Sequence, residues 1–508
     1  MSERTSRATS RRGLRLSALA LAAAAVSALP AAAQMPGQSS SSQSNSTSSI
    51  QAVQGVQAQL NQQGPSVTPS AGTNDPSYRG SIVRDKATAG VLDLTLDDAI
   101  QRGMRNNLGV VLQSANMRQA NGQRLQDLQH LLPTVSAGAS YELQQINLAA
   151  YGLSFPGINS IVGPFQVFDF RAYLTQNLVN MQALENFISS KHNFEAAKLT
   201  AQDARDLVVL SVGNAYLLCI ADQSRIDAVK AQLQTAQVSL NQAQDNHEAG
   251  TAPRLDVLRA QVDLQNEQQQ LIQTTNSLEK DKLALARAIG LPLDQKYTLT
   301  DTAPFQSLDT PDPNAAFQSA LSQRKDLAAA AEQLKGAASA KKAATYEQLP
   351  TLAVSGDYGD QGTTPAHSHG TFSATGTVST DVLKFAQMKG DREVASAQYD
   401  QAQAKLSDQV QQVNADVRNS ILDIQTAAKL VDVTKSNVDL AKEALSEAQQ
   451  RYKVGVADSL PVSQAQTQYE QANDQYISAL YQHNIAKLAL ARALGVAATN
   501  SKNYLGGK

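Results

Sequence analysis

Few positions in the 508-residue sequence have residue types and spacing that could do chemistry. His367 and His369 lie two residues apart and could hold a metal ion, but no Asp, Glu or Cys stands near enough to complete a site. The sole cysteine, Cys219, lies in an apolar run, which favours a small buried side chain over a reactive thiol. P-loop, dinucleotide-binding, HExxH and GxSxG motifs are missing from the sequence. We therefore predict a protein that is not an enzyme and has no cofactor and no metal site.

The composition favours long helices packed side by side. Aromatic residues make up only 5% of the chain and Trp is absent, whereas a compact enzyme usually places more aromatic residues in its core. Ala, Gln, Ser and Leu dominate instead, and several of these are small or good helix formers. The net charge of -2 provides no basic surface, so nucleic acid is not an expected partner.

The N-terminal residues 1–33 predict an export signal. Basic residues come first, the apolar run Leu16 to Leu29 follows, and Ala31 to Ala33 offers a cleavage site. General secretory export and twin-arginine export both fit this pattern. Residues 34–90 are expected to form a disordered, low-complexity segment, because apolar residues are too sparse there to build a core.

The first half of the ordered chain changes from helical to strand periodicity and back. A helix is predicted from Leu96, capped by Asp93 or Thr95, to Leu132, where Pro133 would end it. Apolar and polar residues then alternate in two runs, 134–143 and 168–178, which is the period of a strand.

A long helical hairpin follows these strands. From Met181 to about Glu248 there is no Pro and a single Gly, which predicts a helix about 100 Å long. A tight break at 249–253 leads into a second helix from Arg254 to Ile289, with Gly290 as its C-cap. Apolar residues on the first helix step by four and three, which is typical of a coiled-coil seam formed by Val229, Leu233, Ala236, Leu240 and Ala243.

The chain repeats itself after 205 residues. Residues 249–290 align without a gap on 454–495, and sixteen of the 42 pairs are identical. The alternating runs recur at 351–358 and 371–382. The pattern therefore predicts a first repeat at 91–290, a linker at 291–313, a second repeat at 314–495 and a C-terminal tail at 496–508.

Four strands with one apolar face cannot close a barrel by themselves, and their open edges would invite aggregation. Closure therefore needs several chains, and about ten residues per strand suits a tilted outer-membrane strand. The long helices are too polar for lipid and must stand in water. The predicted fold is mainly α with membrane β-strands.

This plan resembles the TolC-type outer membrane efflux family from Leu94 to Gly495. The most specific match is the turn from Tyr452 to Gly455, which Leu460 and the pair Ala465-Gln466 follow. The sequence Leu-Ala-Arg-Ala-Leu-Gly that closes the second repeat, its counterpart in the first, and the Leu-Pro-Thr before each strand pair are also typical of the family.

The resemblance implies a homotrimer in which four strands per chain form one outer-membrane β-barrel in contact with outer-membrane lipid. A long α-helical barrel would continue it across the periplasm of a Gram-negative-type bacterium. A periplasmic membrane-fusion adaptor and an inner-membrane pump of the RND, ABC or MFS type would be the partners. The chain would then be the passive export duct of a tripartite efflux or type I secretion system.

The two hairpin turns contain the first candidate site. Their glycines could simply supply the positive φ of a tight turn, with a leucine packing the end of each hairpin. The resemblance implies instead that the duplicated residues bind the adaptor. This set consists of His247, Gly250, Ala252, Leu255, Tyr452, Gly455, Ala457 and Leu460.

A constriction at the periplasmic entrance is the second candidate site. Well-studied members of the family have carboxylates six and nine positions after the tip glycine of the second hairpin, where this sequence has Pro461 and Gln464. The matching positions of the first hairpin hold Asp256 and Arg259. The candidates for a constriction are therefore Asp256, Asp458 and Gln464.

A periplasmic coiled-coil scaffold or adaptor is the alternative function. It would explain the export signal and the hairpins, but it leaves the four amphipathic strands without a purpose. The exported substrate leaves no recognisable pattern in the sequence.

Overall fold

The computed structural model describes residues 76–84, 86–301, 305–381, 383–454, 456–457 and 459–499. The predicted signal peptide, residues 34–75 of the low-complexity segment and residues 500–508 of the tail lie outside this part of the chain, as do Gly455 and Asp458.

The described residues form two halves with the same order of elements. Each half has one very short strand, two short helices, two long strands, a very long helix and a shorter returning helix. The helices are α1 (Leu96–Asn106), α2 (Leu108–Gln129), α3 (Met181–Glu248), α4 (Arg254–Ile289), α5 (Pro313–Gln323), α6 (Lys325–Tyr346), α7 (Phe385–Lys453) and α8 (Leu460–Ala493). The strands are β1 (Leu92–Leu94), β2 (Thr134–Asn147), β3 (Ile161–Val179), β4 (Tyr297–Leu299), β5 (Thr351–Gly362) and β6 (Ser368–Ser379).

The single helix expected from Leu96 to Leu132 is wrong, because Asn107 divides it into α1 and α2. Thr95 caps α1 as predicted, since its side chain accepts a hydrogen bond from the backbone N–H of Asp98. Asn107 has extended backbone angles, and its amide donates to the carbonyl oxygens of Tyr78 and Ala288. These bonds to distant backbone hold Asn107 outside the helix.

Part of the segment expected to be disordered, residues 76–84 and 86–90, lies within the described structure. Pro76–Arg79 forms a 3-10 turn, and the ring of Tyr78 is buried. A Cβ at Gly109 would come within 2.5 Å of this ring, so the glycine at the start of α2 makes room for it. The anchoring by Tyr78 orders the chain well before the first predicted helix.

The proline-rich linker at 291–313 also contains regular structure that was not predicted. Its strand β4 pairs in parallel with β1, with Asp93 beside Thr298. The hydroxyl of Tyr216 on α3 donates to the carbonyl oxygen of Leu94 at 2.9 Å, which fastens this small sheet to the long helix. The linker is therefore packed against the first half of the chain.

The four long strands form one antiparallel sheet in the order β2-β3-β5-β6. They extend beyond the predicted runs, because backbone pairing continues where the alternation of side chains fades. Within the described residues, β2 and β6 are the outer strands of this sheet. Large apolar side chains on one face are exposed, namely Val135, Tyr141, Leu143, Phe170, Leu174, Tyr358, Phe372 and Val378.

The opposite face of the sheet carries a polar network. Arg171 on β3 donates to Asp169 on the same strand and, at 2.8 Å, to Asp357 on β5. Asp357 in turn accepts a hydrogen bond from the hydroxyl of Ser373 on β6 at 2.8 Å. The two faces differ as the alternation predicted, although Asp360 lies opposite Phe170 on the apolar face and Tyr173 lies on the polar face.

The main apolar core surrounds the middle of α3, where Val208, Val212 and Tyr216 have no exposed surface. One window of α3 is apolar enough to cross a membrane by length and composition, but 61% of that window is buried inside the chain. Cys219 lies in the same core, and burial raises the pKa of its thiol to about 12. The cysteine is therefore a buried packing residue, as predicted.

A buried ion cluster joins the second half to α3. Arg324, at the break between α5 and α6, is only 7% exposed and donates to Asp326 at 2.6 Å and to Asp416 on α7 at 2.9 Å. Arg492 on α8 pairs with Asp203 on α3 at 2.9 Å. The cluster ties four helices together in a region with little access to water.

Candidate functional site at the hairpin tips

Each half of the chain ends its long helix in a hairpin with its own apolar seam. In the first hairpin, Ala236 and Leu240 on α3 pack on Leu264 of α4. In the second, Leu445 on α7 packs on Val462 and Ala465 of α8. Leu233, Ala236 and Leu240 of the predicted heptad therefore lie in the first of these seams, which holds the tip in place.

The turn of the first hairpin is tight and internally bonded. Gly250 has a φ of +76°, a conformation that favours glycine. The backbone N–H of Thr251 donates to the carbonyl oxygen of Asn246 at 2.9 Å. A ring nitrogen of His247 lies 3.0 Å from the carbonyl oxygen of Ala252, so this histidine closes the turn on its other side. The predicted residues of this tip are thus brought together.

The second tip has the same hydrogen-bond pattern where it is described. The N–H of Val456 donates to the carbonyl oxygen of Arg451 at 3.0 Å, which matches the Thr251 bond after a shift of 205 residues. Tyr452 does not point outward as a binding residue would. It is half-buried in the seam of the second hairpin, and burial raises the pKa of its hydroxyl. Ala457 is also half-buried.

The outer surface of the tips is apolar. Leu255 and Leu460, both predicted for this site, are 53% and 45% exposed. Val454 and Val456 are exposed still further, although the sequence reasoning did not single them out. Their signal was visible in the sequence, because two valines flank the tip glycine where turns usually carry polar residues. An exposed apolar patch of this kind is typical of a docking surface.

Asp256 joins the two hairpins to each other. Its carboxylate accepts a hydrogen bond from the hydroxyl of Ser459 at 2.7 Å and lies 3.6 Å from the guanidinium of Arg259. Asp256 is only 4% exposed within the protomer, whereas Gln464 is exposed. Ser459 stands at the N-cap position of α8 but makes no side-chain cap bond there. A cavity of about 470 Å³ lies beside this contact.

A pair of carboxyl groups lies further along the same contact between hairpins. Glu267 on α4 is buried and shares a hydrogen bond with Glu470 on α8. Burial, this hydrogen bond and the negative charge of Asp263 together raise the pKa of Glu470 to about 8. At neutral pH the pair therefore holds a proton that links α4 to α8.

Glu470→Gln is expected to remove a pH dependence from stability. The folded chain keeps the proton of Glu470 up to about pH 8, whereas the unfolded chain loses it near the ordinary pKa of 4.5. Stability should therefore fall as the pH rises from 4.5 to 8, and the glutamine variant should lose much of this fall. Thermal unfolding between pH 5 and pH 9 measures the effect. Glu279→Gln, at an exposed position of α4, is the control; equal pH profiles for Glu470→Gln and the parent chain would refute the assignment.

Comparison with known proteins decides the family. The profile of the outer membrane efflux protein family matches residues 99–291 and again residues 316–496. The chain belongs to the outer membrane efflux protein family. The family predicted from the sequence is thereby confirmed. The location in the outer membrane, with a large helical part in the periplasm, is confirmed with it.

Curated relatives of this efflux protein include two from Pseudomonas putida. The pyoverdine export outer membrane protein OpmQ is 23% identical over 404 residues, which cover 79% of this chain and 85% of the relative. The toluene efflux pump outer membrane protein TtgC is 25% identical over 415 residues, which cover 79% of this chain and 83% of the relative. The relatives are thus matched over most of their length.

Two solved channels share the fold of this efflux protein. The CmeC outer membrane channel of Campylobacter jejuni superimposes with a TM-score of 0.71 at 17% identity, covering 85% of this chain and 95% of that one. The outer membrane protein VceC of Vibrio cholerae gives a TM-score of 0.70 at 18% identity, covering 79% and 96%. The arrangement of strands and long hairpins is therefore that of known outer-membrane channels.

Proposed function

We propose that three copies of this chain form a passive export duct from the periplasm to the exterior, as the outer-membrane component of a tripartite efflux or type I secretion system. The observation that carries the proposal is the four-stranded sheet, which has one exposed apolar face, one polar face and two outer strands. In this proposal the chain forms the conduit and is not an enzyme. It needs to catalyse no reaction, because the pump would provide the energy for transport.

The sheet needs further copies to satisfy its edges. A barrel wide enough to enclose a lumen requires about eight strands or more, and one chain provides four. Pairing β6 of one copy with β2 of the next would remove every open edge, and three copies would contribute twelve strands. The face with Phe372, which is 79% exposed, would then meet outer-membrane lipid, and the face with Arg171 would line the lumen.

The long hairpins would continue this lumen through the periplasm. At about 1.5 Å per residue, α3 and α7 are each about 100 Å long, which suits a helical barrel that crosses the periplasm. The scaffold alternative would leave the apolar face of the sheet in water, where patches of this size cause association. The duct is therefore the better-supported function.

The hairpin tips would be the docking surface for a periplasmic adaptor, which connects the duct to an inner-membrane pump of the RND, ABC or MFS type. Relatives named as outer membrane proteins of efflux pumps support this partnership. The exposed apolar surface at Leu255, Val456 and Leu460 supports the position. His247, Gly250, Ala252, Tyr452, Gly455 and Ala457 would shape the turns that present it.

The double variant Leu255→Glu, Leu460→Glu is expected to abolish export while the duct still assembles. Both side chains lie outside the apolar seams, so charge at these positions should spare folding but prevent an apolar contact with the adaptor. Export is measured as the loss of resistance to a pumped dye or antibiotic, with the amount of assembled protein in the outer membrane as the control. Full resistance with normal assembly would exclude the tips as the docking surface.

We further propose that Asp256 holds the periplasmic entrance narrow, and that Asp458 and Gln464 are further candidates for this constriction. The bond from Ser459 to Asp256 links the two hairpins, and a hydrogen bond to a charged group contributes about 1.5–3 kcal/mol, so this bond favours the contact between them. Asp256→Ala removes this link and should therefore favour an open entrance.

The expected result is a larger single-channel conductance in planar bilayers and faster entry of large hydrophilic antibiotics into cells. Asp227→Ala, at an exposed position of α3, provides the matched control. If Asp256→Ala channels conduct like the control, the Ser459 bond does not restrain the entrance.

A further inference from the structure

The hairpin formed by β2 and β3 extends beyond the rest of the sheet. β3 pairs with β5 only from Phe168 onward, opposite Gly362, and the β5–β6 hairpin turns back at that level. The pairing of β2 with β3 continues to Asn147 opposite Ile161. Residues 143–167, which we name the apolar hairpin, therefore project past the rim of the sheet.

The apolar hairpin carries no charge and exposes large side chains. No Asp, Glu, Lys or Arg occurs from residue 143 to residue 168. The exposed apolar residues include Leu143, Tyr151, Leu153, Phe155, Ile158 and Ile161. The shorter β5–β6 turn has the sequence Thr-Thr-Pro-Ala-His instead. A two-stranded ribbon is marginally stable in water, and an apolar one needs a partner.

Both faces of the apolar hairpin carry apolar side chains, although on the inner face Val167 and Phe165 lie opposite Glu142 and Gln144. Below the rim, the polar face of β3 carries Arg171 and Asp169. Above the rim, the same face continues with Val167 and Phe165, while Leu143 lies on the face that would meet lipid. Lipid can cover one face of a barrel strand, so the apolar residues on the inner face require a different partner.

The tip of the apolar hairpin has a defined conformation. Leu148–Tyr151 forms a 3-10 turn that Gly152 ends with a φ of +70°. The N–H of Leu148 donates to the carbonyl oxygen of Ser160 at 2.6 Å, and that of Ile158 donates to Phe155 at 3.2 Å. The backbone thus satisfies its own hydrogen bonds and presents the apolar side chains outward as a formed surface.

We propose that the apolar hairpins of neighbouring copies of this chain pack on one another over the outer mouth of the duct and form an apolar exit seal. This inference rests on the proposed assembly of copies into one barrel. In that barrel, the apolar hairpins stand on one rim and their inner faces turn toward the same axis. Another copy of the apolar hairpin is then the partner that has matching chemistry and lies within reach.

Single cysteines test this contact in the full-length protein. Cys219 is fully buried, so the parent chain gives little background. Phe155→Cys and Ile158→Cys each place one thiol in the apolar hairpin, and Thr363→Cys places one in the β5–β6 turn as the control. Because a disulfide needs Cα atoms within about 7 Å, oxidation should give at least about tenfold more covalent dimer for the apolar hairpin than for the control.

The number of chains in the detergent-purified complex is measured on the same samples. If the complex holds several copies and neither apolar-hairpin variant gives dimer, the seal is refuted while the duct stands. Ready labelling of Phe155→Cys by a water-soluble maleimide, or its protection by lipid without crosslinking, would refute the seal in the same way. A single chain in the complex would refute the proposed function itself.

Discussion

Gly359→Ala is expected to prevent assembly of the outer-membrane sheet. A Cβ at this position on β5 would overlap the carbonyl oxygen of Phe170 and lie 2.6 Å from the Cα of Arg171. These contacts are backbone atoms of β3, which cannot move aside as a flexible side chain can. The β3–β5 pairing is the contact that joins the strands of the two halves, so opening it should divide the sheet into two hairpins.

The amount of assembled protein in the outer membrane measures this effect, and we expect most of it to be lost. Gly376→Ala is the matched control, because it makes the same change on β6 where nothing lies within 4 Å of the added Cβ. If Gly359→Ala assembles as well as Gly376→Ala, the register of β3 on β5 is wrong.

Arg324→Ala should destabilise the helical part by about 3–5 kcal/mol, because it removes one partner from buried ion pairs. Arg324 is 7% exposed and bonds Asp326 and Asp416. Burial alone would raise the pKa of Asp326, but the guanidinium of Arg324 outweighs this effect and holds the pKa below its ordinary value. Without the arginine, both carboxylates are left partly buried and without a cation at that position.

The defect should be larger at neutral pH than in acid. A carboxyl group whose pKa is lowered on folding stabilises the folded chain at pH values above its ordinary pKa. This stabilisation is lost as the pH falls through the pKa of the group in the folded state. Thermal unfolding of the purified protein measures the loss. Arg418→Ala is the control, since Arg418 is exposed on α7 and should change stability by less than about 0.5 kcal/mol. Equal melting temperatures for the two variants would contradict a stabilising role for the cluster.

Local patterns were sufficient to predict the long elements. The bounds of α3 and α4 match the expected ones, because a run without proline defines the first and the left-handed Gly290 ends the second. The two faces of the sheet also followed from the alternation, although β2 continues to Asn147 after Gln144 and Gln145 interrupt it. Backbone pairing with β3 maintains the strand there, across a register shift.

Contacts between distant residues could not be predicted in this way. Asn107 interrupts a helical pattern because its amide finds the carbonyl oxygens of Tyr78 and Ala288, far away in the sequence. The pairing of β1 with β4 likewise joins segments about 205 residues apart and has no local signal.

At the candidate site too, local features were predicted from the sequence and contacts between distant residues were not. The glycine turn of the first hairpin and the exposed Leu255 and Leu460 followed from the repeat, because turn geometry is local. Asp256 was expected as a residue that lines the entrance, and its part in the contact between hairpins depends on Ser459, 203 positions later. Tyr452 was expected at the docking surface, but the seam of the second hairpin covers it.

The mass of the detergent-purified complex tests the central claim most directly. The four-stranded sheet of each chain requires partners to close, so light scattering should give the mass of three chains after correction for detergent. A monodisperse complex with the mass of a single chain would contradict the account, because such a chain could not enclose a lumen.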